Sequence, residues 1–402
     1  MLHNYYQQSG GEDQVFAAES RMLEANGDQV IRYTAHNQRI VSMRALELGR
    51  KTIWNDEVYA ELRSIIRDQR PHVLHAHNIF PLISPAAYAA ARDEGIPVVQ
   101  TLHNFRLLCA NSFLFRDGKV CEDCVGRRVM WPAVVHRCYR GSVVASAAVV
   151  AMLQYHRLRG TWRELVDVYI ALTEFARRKV IEGGLPEEKV LVKPNFVDWD
   201  PAARIGDGEY ALFVGRLSPE KGIRTLLAAW DSSPDLPLLR IVGDGPLRED
   251  VERAVAANPR VQWLGRKASA EVQVLLRNAR ALLFPSEWYE GLPLVIIEAY
   301  AVGIPVIGSR IGAAASLIEP GRTGLHHVPG DSRDLVEQVR WAWKHPDEMR
   351  AMGANGRGRF EERYTSAINY RFLRTAYAHA GAHGQRRGPW LSPPPSFETQ
   401  HA

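Results

Sequence analysis

The sequence has no apolar run long enough to cross a membrane. Its longest apolar-rich stretch, residues 143–153, has about eleven residues, whereas a bilayer-spanning helix needs about twenty. The first residues, MLHNYYQQSGGED, lack the basic segment and the apolar segment that mark a secretory signal. We therefore expect a cytoplasmic protein, and the sequence leaves open a peripheral contact with the inner membrane.

Net charge is also low for a chain of this length. Lysine and arginine number 50 against 45 aspartates and glutamates, which gives a net charge of +5 and a pI of about 9.0. This excess suits a diphosphate-bearing ligand or an anionic membrane surface, but a basic surface without function is equally common. The basic residues are dispersed, without a basic patch interleaved with aromatic residues, so we expect no nucleic-acid partner.

Cysteine is scarce, and the four cysteines lie close together in the sequence. Cys109, Cys121, Cys124 and Cys138 follow the spacing Cys-x11-Cys-x2-Cys-x13-Cys. In a cytosolic protein such a cluster favours a structural zinc site over disulfides, although reduced thiols and a redox pair stay open as alternatives. Four thiolates would leave no open position on zinc. A bound ion would therefore brace the surrounding loop and take no part in catalysis.

The rest of the sequence predicts an α/β fold. Short runs rich in Val and Ile alternate with amphipathic segments, as in βα units around parallel sheets, and 402 residues suit two domains. The predicted strands are residues 29–34, 73–77, 98–103, 168–172, 210–214, 238–242, 261–264, 281–284 and 305–307. The predicted helices include residues 12–26, 53–68, 85–94, 142–156, 174–182, 334–344, 347–359 and 364–379. A linker rich in Pro, Gly and charge is predicted at residues 200–209.

The first strand is a special case. Only residues 1–6 precede the Gly10-Gly11 pair that opens the first helix, whereas a doubly wound sheet normally has a full strand before such a turn. Either the first strand is a stub or the true start of the chain lies upstream of Met1. We favour the second interpretation.

The strongest motif is EGLPLVIIE, which runs from Glu290 to Glu298 after a predicted strand. Pro293 suits the first position of a helix, because its missing N–H needs no partner there. The residues around this helix start are Gly291, Leu292, Leu294 and Val295. Their free N–H groups would face out of the carboxyl end of a parallel sheet, which predicts a diphosphate site.

Glu298 falls in the second turn of the same helix, among apolar residues. A carboxylate in such surroundings needs a partner, and ribose hydroxyls would suit it. The alternative is that Glu290 caps the helix and Glu298 is a core residue paired with a basic side chain.

A second motif, GRLSPEKG at residues 215–222, directly follows the strand predicted at residues 210–214. Its cations, Arg216 and Lys221, can neutralise a leaving diphosphate beside a tight βα loop. The alternative is a solvated loop without function. A third glycine-rich turn, at Gly243, also follows a strand and is a weaker candidate for nucleotide binding.

The first half of the chain has two candidate site features. Gly10 and Gly11 open a helix, and His103 ends a strand. The carboxyl end of a strand lies at the mouth of the cleft in an α/β domain, so we expect His103 to face a ligand. A structural histidine is the alternative.

Taken in order, these residues resemble glycosyltransferase family 4. The set comprises Gly10-Gly11, His103, Lys193-Pro194-Asn195, the loop with Arg216 and Lys221, and two glutamates separated by seven residues. The resemblance covers essentially residues 1–380. It implies the GT-B architecture, in which two Rossmann-like parallel-sheet domains face each other across a cleft.

The resemblance also implies the bounds and the role of each domain. Residues 1–199 would form the acceptor-side domain and residues 200–363 the domain that binds the nucleotide sugar. Residues 364–380 would form a helix that crosses back to the first domain. The Pro-rich, polar residues 381–402 are expected to be disordered.

In that family the Arg/Lys pair binds the diphosphate and the second glutamate holds the ribose. The resemblance therefore assigns these roles to Arg216, Lys221 and Glu298. It places Glu290 and His103 near the transferred sugar as catalytic residues.

The implied activity is a retaining sugar transfer, without a cofactor for catalysis, from a UDP-, GDP- or ADP-sugar to a glycan or lipid-linked acceptor. Bacterial surface polysaccharide synthesis is the expected context. A GT-B epimerase or hydrolase and a non-catalytic nucleotide-binding module stay open as alternatives.

Overall fold

A computed structural model of the chain describes residues 1–7, 10–199 and 208–384. Most of the predicted linker and the predicted tail from residue 385 onward therefore lie outside the described residues. The strands of the first domain are β1 Leu2–Tyr5, β2 Tyr33–His36, β3 Leu74–Asn78, β4 Val98–Leu102, β5 Phe115–Arg116, β6 Lys119–Val120, β7 Val168–Ala171 and β8 Val190–Val192. Its helices are α1 Gly11–Ala25, α2 Ala45–Ile53, α3 Asp56–Gln69, α4 Ala86–Asp93, α5 Trp131–Val135, α6 Val143–Leu158, α7 Thr161–Glu164 and α8 Glu174–Glu182.

The second domain has the same alternating order. Its strands are β9 Tyr210–Val214, β10 Leu239–Val242, β11 Val261–Trp263, β12 Ala279–Phe284, β13 Val306–Ser309 and β14 Gly324–His327. Its helices are α9 Ile223–Ser232, α10 Arg248–Ala257, α11 Ser269–Asn278, α12 Leu294–Val302, α13 Gly312–Leu317, α14 Ser332–Lys344 and α15 Pro346–Arg363. A final helix, α16, spans Ser366–Gly384.

Each domain is built on one six-stranded, fully parallel sheet. The orders are β2-β1-β3-β4-β7-β8 and β11-β10-β9-β12-β13-β14. In the second sheet the direction of the order reverses between β9 and β12, and in the first between β1 and β3. Ligands bind outside the carboxyl ends of the strands at such switch points. The predicted fold class, α/β with two Rossmann-like parallel-sheet domains, is confirmed.

The strand predictions missed β5, β6, β8 and β14, and they misplaced β2. The strand predicted at residues 29–34 is instead Tyr33–His36, because its register is set by pairing with β1, with Leu2 opposite Tyr33 and Tyr5 opposite His36. Only four residues long, β1 still lies between β2 and β3.

The helix predicted at residues 53–68 is α3, which begins three residues later, and the preceding helix α2 was not predicted. Helix α2 ends at Ile53 and α3 begins at Asp56, because the Asn55 side chain caps α3 and its amide is held by the Leu82 carbonyl, 2.6 Å away. A side-chain cap of this kind sets a helix start more strongly than apolar spacing does.

Helix α16 begins two residues later than predicted and includes residues 381–384, which were expected to be disordered. It packs on β4 and β7 of the first sheet. Leu373 is completely buried there with Val99, Val168 and Ile170, whereas Phe372 is 37% exposed. The second domain is thus followed by a helix that belongs to the core of the first.

The segment from residue 104 to 141 contains all four cysteines, and we call it the cysteine loop. It has little regular structure apart from the β5–β6 ribbon and the short α5. Five of its residues other than glycine have a left-handed backbone: Ser112, Leu114, Asp117, Arg137 and Arg140. Such backbone is rare outside glycine, so sequence pattern predicts little about this loop.

No helix within the described ranges is both long enough and apolar enough to cross a membrane.

Candidate active site

The carboxyl ends of the two sheets face each other across a cleft of about 900 Å³. The first domain contributes the start of α1 and the residues after β4, and the second contributes the loops after β9 and β12. The predicted site residues that line this cleft are Gly10, Gly11, His103, Arg216, Lys221, Glu290, Gly291, Leu292, Leu294 and Val295. Gly243 and Glu298 are the two predicted ligand-binding residues that do not line it.

The motifs of the two domains touch at Gly291 and His103. A Cβ atom at Gly291 would lie 2.7 Å from the His103 carbonyl oxygen, closer than side-chain carbons approach backbone. The Thr173 hydroxyl also donates to the Gly291 carbonyl over 3.4 Å. Glycine at this position therefore allows the loop after β12 to approach the end of β4.

Aromatic pairs add to this contact between the domains. The rings of Phe113, in the cysteine loop, and Trp288 are 5.0 Å apart, and those of Phe175 and Tyr289 are 4.6 Å apart. Both pairs have the edge-to-face geometry that aromatic rings prefer. Aromatic contacts thus join the two domains beside the cleft.

Glu290 and Lys221 form an ion pair inside the cleft. The Glu290 carboxylate is 8% exposed, and its Oε1 accepts from Lys221 Nζ at 2.5 Å, Trp288 Nε1 at 2.8 Å and Ser286 Oγ at 3.0 Å. The Arg216 side chain, by contrast, is exposed and forms no hydrogen bond or ion pair with any described residue. One predicted phosphate-binding cation is therefore partnered by protein, and the other is not.

Gly243 has a different position from the predicted one. It packs against the loop after β9, where a Cβ atom would lie 1.8 Å from the Gly215 carbonyl oxygen, and its φ of 137° favours glycine. Its role is to let two βα loops meet backbone to backbone behind the cleft. Gly243, predicted as a weak candidate for nucleotide binding, is not among the residues that line the cleft.

Glu298 lies one helical turn beyond Leu294 on the same face of α12. Its carboxylate forms no hydrogen bond or ion pair with any described residue, so the described part of the chain does not supply the basic partner of the alternative interpretation. Burial raises the pKa of Glu298 to about 7. A half-buried carboxylate without a protein partner is suited to binding hydroxyl groups of a ligand.

His103 is held by a second histidine. Its Nε2 lies 3.0 Å from Nδ1 of His77, on β3, and the two rings stack with centroids 5.1 Å apart. Burial lowers the pKa of His103 well below the usual value for histidine. The ring is therefore neutral at physiological pH.

Sequence reasoning missed several residues of the cleft. Glu12 follows the glycine pair and lines the cleft, and burial together with Asp13 raises its pKa to about 8. Its Oε2 has no hydrogen-bond partner within the described residues. Arg106 also lines the cleft, with its guanidinium 4.5 Å from the centroid of the Phe80 ring. Glu12 could have been predicted from its position beside Gly10-Gly11. Arg106 lies in the irregular cysteine loop, where sequence pattern predicts little.

The four cysteines are free thiols in one loop. Cys109 and Cys124 are buried, and Cys121 and Cys138 are half-buried. Thiolates are the donors that zinc prefers, but no three of these sulfur atoms lie within 4.8 Å of one another in the described chain. A bound zinc would need the loop to draw the thiols together. The zinc site stays a prediction, which metal analysis of the purified protein would test.

The fold and the cleft define a two-domain α/β protein of the GT-B type. The chain matches two family descriptions, Glycosyltransferase Family 4 over residues 1–200 and Glycosyl transferases group 1 over residues 198–359. It is 30% identical to alpha-maltose-1-phosphate synthase of Mycolicibacterium smegmatis over 77% of this chain and 79% of that protein. The chain belongs to glycosyltransferase family 4, as its motifs predicted.

Two further similarities cover different parts of the chain. The O-antigen chain mannosyltransferase C of Escherichia coli is 32% identical over 40% of this chain and 44% of that protein. The crystal structure of Anabaena HepE in complex with UDP has the same fold, with a TM-score of 0.63 at 16% identity over 94% of this chain and 99% of that one. The matches span only about half the length of several curated relatives, from 42% to 61%.

We predict that Lys221→Ala lowers the turnover of a nucleotide-sugar donor by about 10²–10³-fold, which corresponds to about 3–4 kcal/mol of lost charge stabilisation. The reason is that Lys221 is the partly buried cation of the cleft. Steady-state kinetics of the variant would measure the loss. Arg224→Ala, an exposed cation just outside the loop, is the matched control and should retain activity. Wild-type turnover in Lys221→Ala would contradict the assignment.

We also predict a pH-dependent effect of Glu298→Gln. Between about pH 4.5 and pH 7, native Glu298 keeps a proton that the unfolded chain releases, so the free energy of unfolding of the wild type falls as pH rises. Glutamine does not titrate, so the free energy of unfolding of the variant does not include this fall. Its stability relative to the wild type should therefore rise across this window and stay constant above it.

Urea unfolding at several pH values would measure this difference, with exposed Glu249→Gln as the control. Glu298→Gln should also weaken nucleoside diphosphate binding if, as the family resemblance implies, the carboxylate accepts hydrogen bonds from the ribose. An unchanged pH dependence together with unchanged nucleotide affinity would contradict both statements.

Proposed function

We propose that the chain is a retaining glycosyltransferase that moves a sugar from a nucleoside diphosphate to an acceptor in surface polysaccharide or glycoconjugate synthesis. The observation that carries this proposal is the arrangement of the cleft. Arg216, Lys221 and the N-terminus of α12 come from the second domain. They face the neutral His103 and the N-terminus of α1, which come from the first domain. A sugar on a diphosphate would lie between them.

The proposed binding site for the nucleotide-sugar donor is supported by the positive charges of the second domain. Arg216 and Lys221 leave the end of β9, and the start of α12 follows β12, which is the neighbour of β9 in the sheet. Two cations and the N-terminus of a helix at one switch point suit a diphosphate. Glu298, further along α12, would take the ribose. The UDP complex of the similar Anabaena protein supports a UDP-, GDP- or ADP-sugar donor.

Retention of the anomeric configuration is proposed from the family, and the cleft is compatible with it. Glu290 already accepts three hydrogen bonds, so it is better placed to bind the sugar than to attack it. His103 is neutral. The proton of the acceptor hydroxyl would therefore pass to the leaving phosphate on the same face of the sugar, while the protein positions the groups and stabilises the diphosphate.

A donor screen followed by product analysis tests this function. Purified protein would be incubated with UDP-, GDP- and ADP-sugars, with and without candidate acceptors, and release of nucleoside diphosphate would be measured. We expect release that depends on the acceptor, and a product with the anomeric configuration of the donor by NMR. An inverted product would overturn retention. Equal release without acceptor would favour the hydrolase or epimerase alternative.

We further propose that the acceptor is reached at an anionic membrane surface. Residues 127–163 contain seven arginines and no aspartate or glutamate, a larger excess than the net charge of the whole chain. The earlier interpretation that basic residues are dispersed is therefore wrong for this segment. The same segment also exposes large apolar side chains: Val129, Trp131, Val135, Val143, Val144 and Leu158.

This basic and apolar segment also reaches the cleft, which Tyr139 and Arg140 line. Helices α5 and α6, which carry most of the exposed apolar residues, pack directly on each other. Exposed apolar groups among arginines favour binding to anionic lipid, since apolar burial and charge attraction add. A lipid-linked acceptor would then enter the cleft from the membrane.

Vesicle co-sedimentation tests this surface. We expect the protein to bind vesicles that contain phosphatidylglycerol and not vesicles of phosphatidylcholine alone. Replacing Trp131 and Val144 together by serine should weaken binding by about tenfold or more. The matched control replaces Val255 and Val274, exposed residues of the second domain, by serine. Equal loss in both double variants, or no binding of the wild type, would overturn the proposed surface.

A further inference from the structure

A row of buried polar side chains runs behind His103, away from the cleft. Glu19 on α1, His77 on β3 and Lys193 after β8 are each at most 3% exposed. His77 Nε2 lies 3.3 Å from Glu19 Oε2, and Lys193 Nζ lies 2.5 Å from Glu19 Oε1. Buried charged groups are costly unless they are paired, so this row has a fixed arrangement of charges.

The ionisation state of the row follows from its contacts. Burial alone would raise the pKa of Glu19, but Lys193 and His77 hold it well below the usual value, so Glu19 is a carboxylate. Burial lowers the pKa of His77, so His77 is neutral and carries a single ring proton.

The charge of Glu19 favours one direction for the hydrogen bond between the two histidines. His77 Nε2 lies 3.3 Å from Glu19 Oε2, and a negative charge there stabilises the tautomer of His77 that carries its proton on Nε2. Neither of these two atoms has a hydrogen-bond partner among the described residues, so Glu19 acts on Nε2 through its charge. The Nδ1 atom of His77 is therefore an acceptor, and the His103 Nε2 atom, 3.0 Å away, must donate to it.

The structure thus assigns a further role to two residues outside the cleft, and this assignment rests on the proposed function. We propose that Glu19 and His77 are positioning residues that keep the proton of His103 on Nε2. The Nδ1 atom of His103 is then left as a hydrogen-bond acceptor for a hydroxyl of the transferred sugar. In this arrangement His103 binds and orients the sugar and does not donate a proton.

The last helix is part of the same arrangement. Lys193 Nζ also donates to the Asn369 side chain of α16 over 3.0 Å, and the Asn369 amide donates to the Pro194 carbonyl over 2.6 Å. These bonds keep the ammonium group beside Glu19. Helix α16 therefore helps to hold the row of polar residues behind His103, and it also belongs to the core of the first domain.

A metal ion is a competing explanation for this cluster. Ligand atoms of Glu19, His75 and His77 lie within 4.8 Å of one another. However, the Lys193 ammonium is 2.5 Å from Glu19, and His75 already bonds to Tyr377 at 2.9 Å and Thr101 at 2.8 Å. A cation would have to displace a positive charge and two hydrogen bonds, so the proton arrangement fits the cluster better.

The proposal is tested by determining the tautomer of His103 with ¹⁵N NMR of the full-length protein that contains labelled histidine. The signals of His103 would be assigned by their loss in His103→Gln. We expect the wild type to have the proton on Nε2 of His103. His77→Phe keeps a ring at this position and removes the acceptor, so it should abolish the fixed tautomer.

In His77→Phe we also expect kcat to fall at least tenfold, with the affinity for nucleoside diphosphate unchanged within about twofold, because nucleotide binds to the other domain. His75→Phe is the matched control. It removes a neighbouring buried histidine and its hydrogen bonds, so it should lose comparable stability but leave the tautomer of His103 unchanged. Variants of Glu19 are less useful, because they would leave Lys193 buried without its counter-charge.

A wild-type His103 with its proton on Nδ1 would overturn the proposal, as would a His77→Phe variant that keeps both the wild-type tautomer and the wild-type kcat. Loss of the fixed tautomer in both His75→Phe and His77→Phe would also overturn it, since the effect would then be general unfolding. If the tautomer is as expected but no nucleotide sugar is turned over, the proposed function fails and the proton arrangement stands.

Discussion

The ion pair between Glu19 and Lys193 is buried where three parts of the chain meet. Glu19 lies on α1, Lys193 follows β8, and Asn369 of α16 completes the contact. Removing one partner from a buried pair typically costs about 3–5 kcal/mol, because the other charge is left unpaired. The docking of α16, the position of α1 and the row of histidines therefore depend on one another, although α16 follows the second domain in sequence.

Close approach of backbones is the second constraint on the cleft. Gly291 meets the His103 carbonyl between the domains, and Gly243 meets the Gly215 carbonyl within the second domain. Any larger residue would separate the loops that carry Glu290 and Arg216. Glycine at both positions thus allows backbone segments to approach each other closely, which explains why a glycine-rich turn alone was a poor guide to a binding residue.

The sequence was a good guide where local pattern determines structure. The βα alternation, the loops after β9 and β12 and the position of His103 at the end of β4 all followed from apolar runs and the residues that end them. Contacts between distant residues were not predictable. Glu19 and Lys193 are 174 positions apart, and nothing in their local sequence marks them as partners.

Two other failures have local causes. The edge strand Tyr33–His36 alternates between exposed and buried residues, so the apolar run before it gave the wrong register. The cysteine loop depends on left-handed residues such as Leu114 and Arg137, and these side chains have no preference for that conformation. Its shape is set by tertiary packing, which explains why Arg106 was missed.

The charges of the two domains differ in a way that suits sugar transfer under the proposed function. On the second domain, an entering diphosphate would compete with Glu290 for Lys221, while Ser286 and Trp288 would still hold the carboxylate. Glu290 would then gain negative charge nearby and lose a cation, which makes it a stronger acceptor for sugar hydroxyls without moving it. On the first domain, His103 is neutral and its neighbours keep it so. The leaving diphosphate would meet the cations of the second domain, Arg216 and Lys221, and these would favour its departure toward that domain.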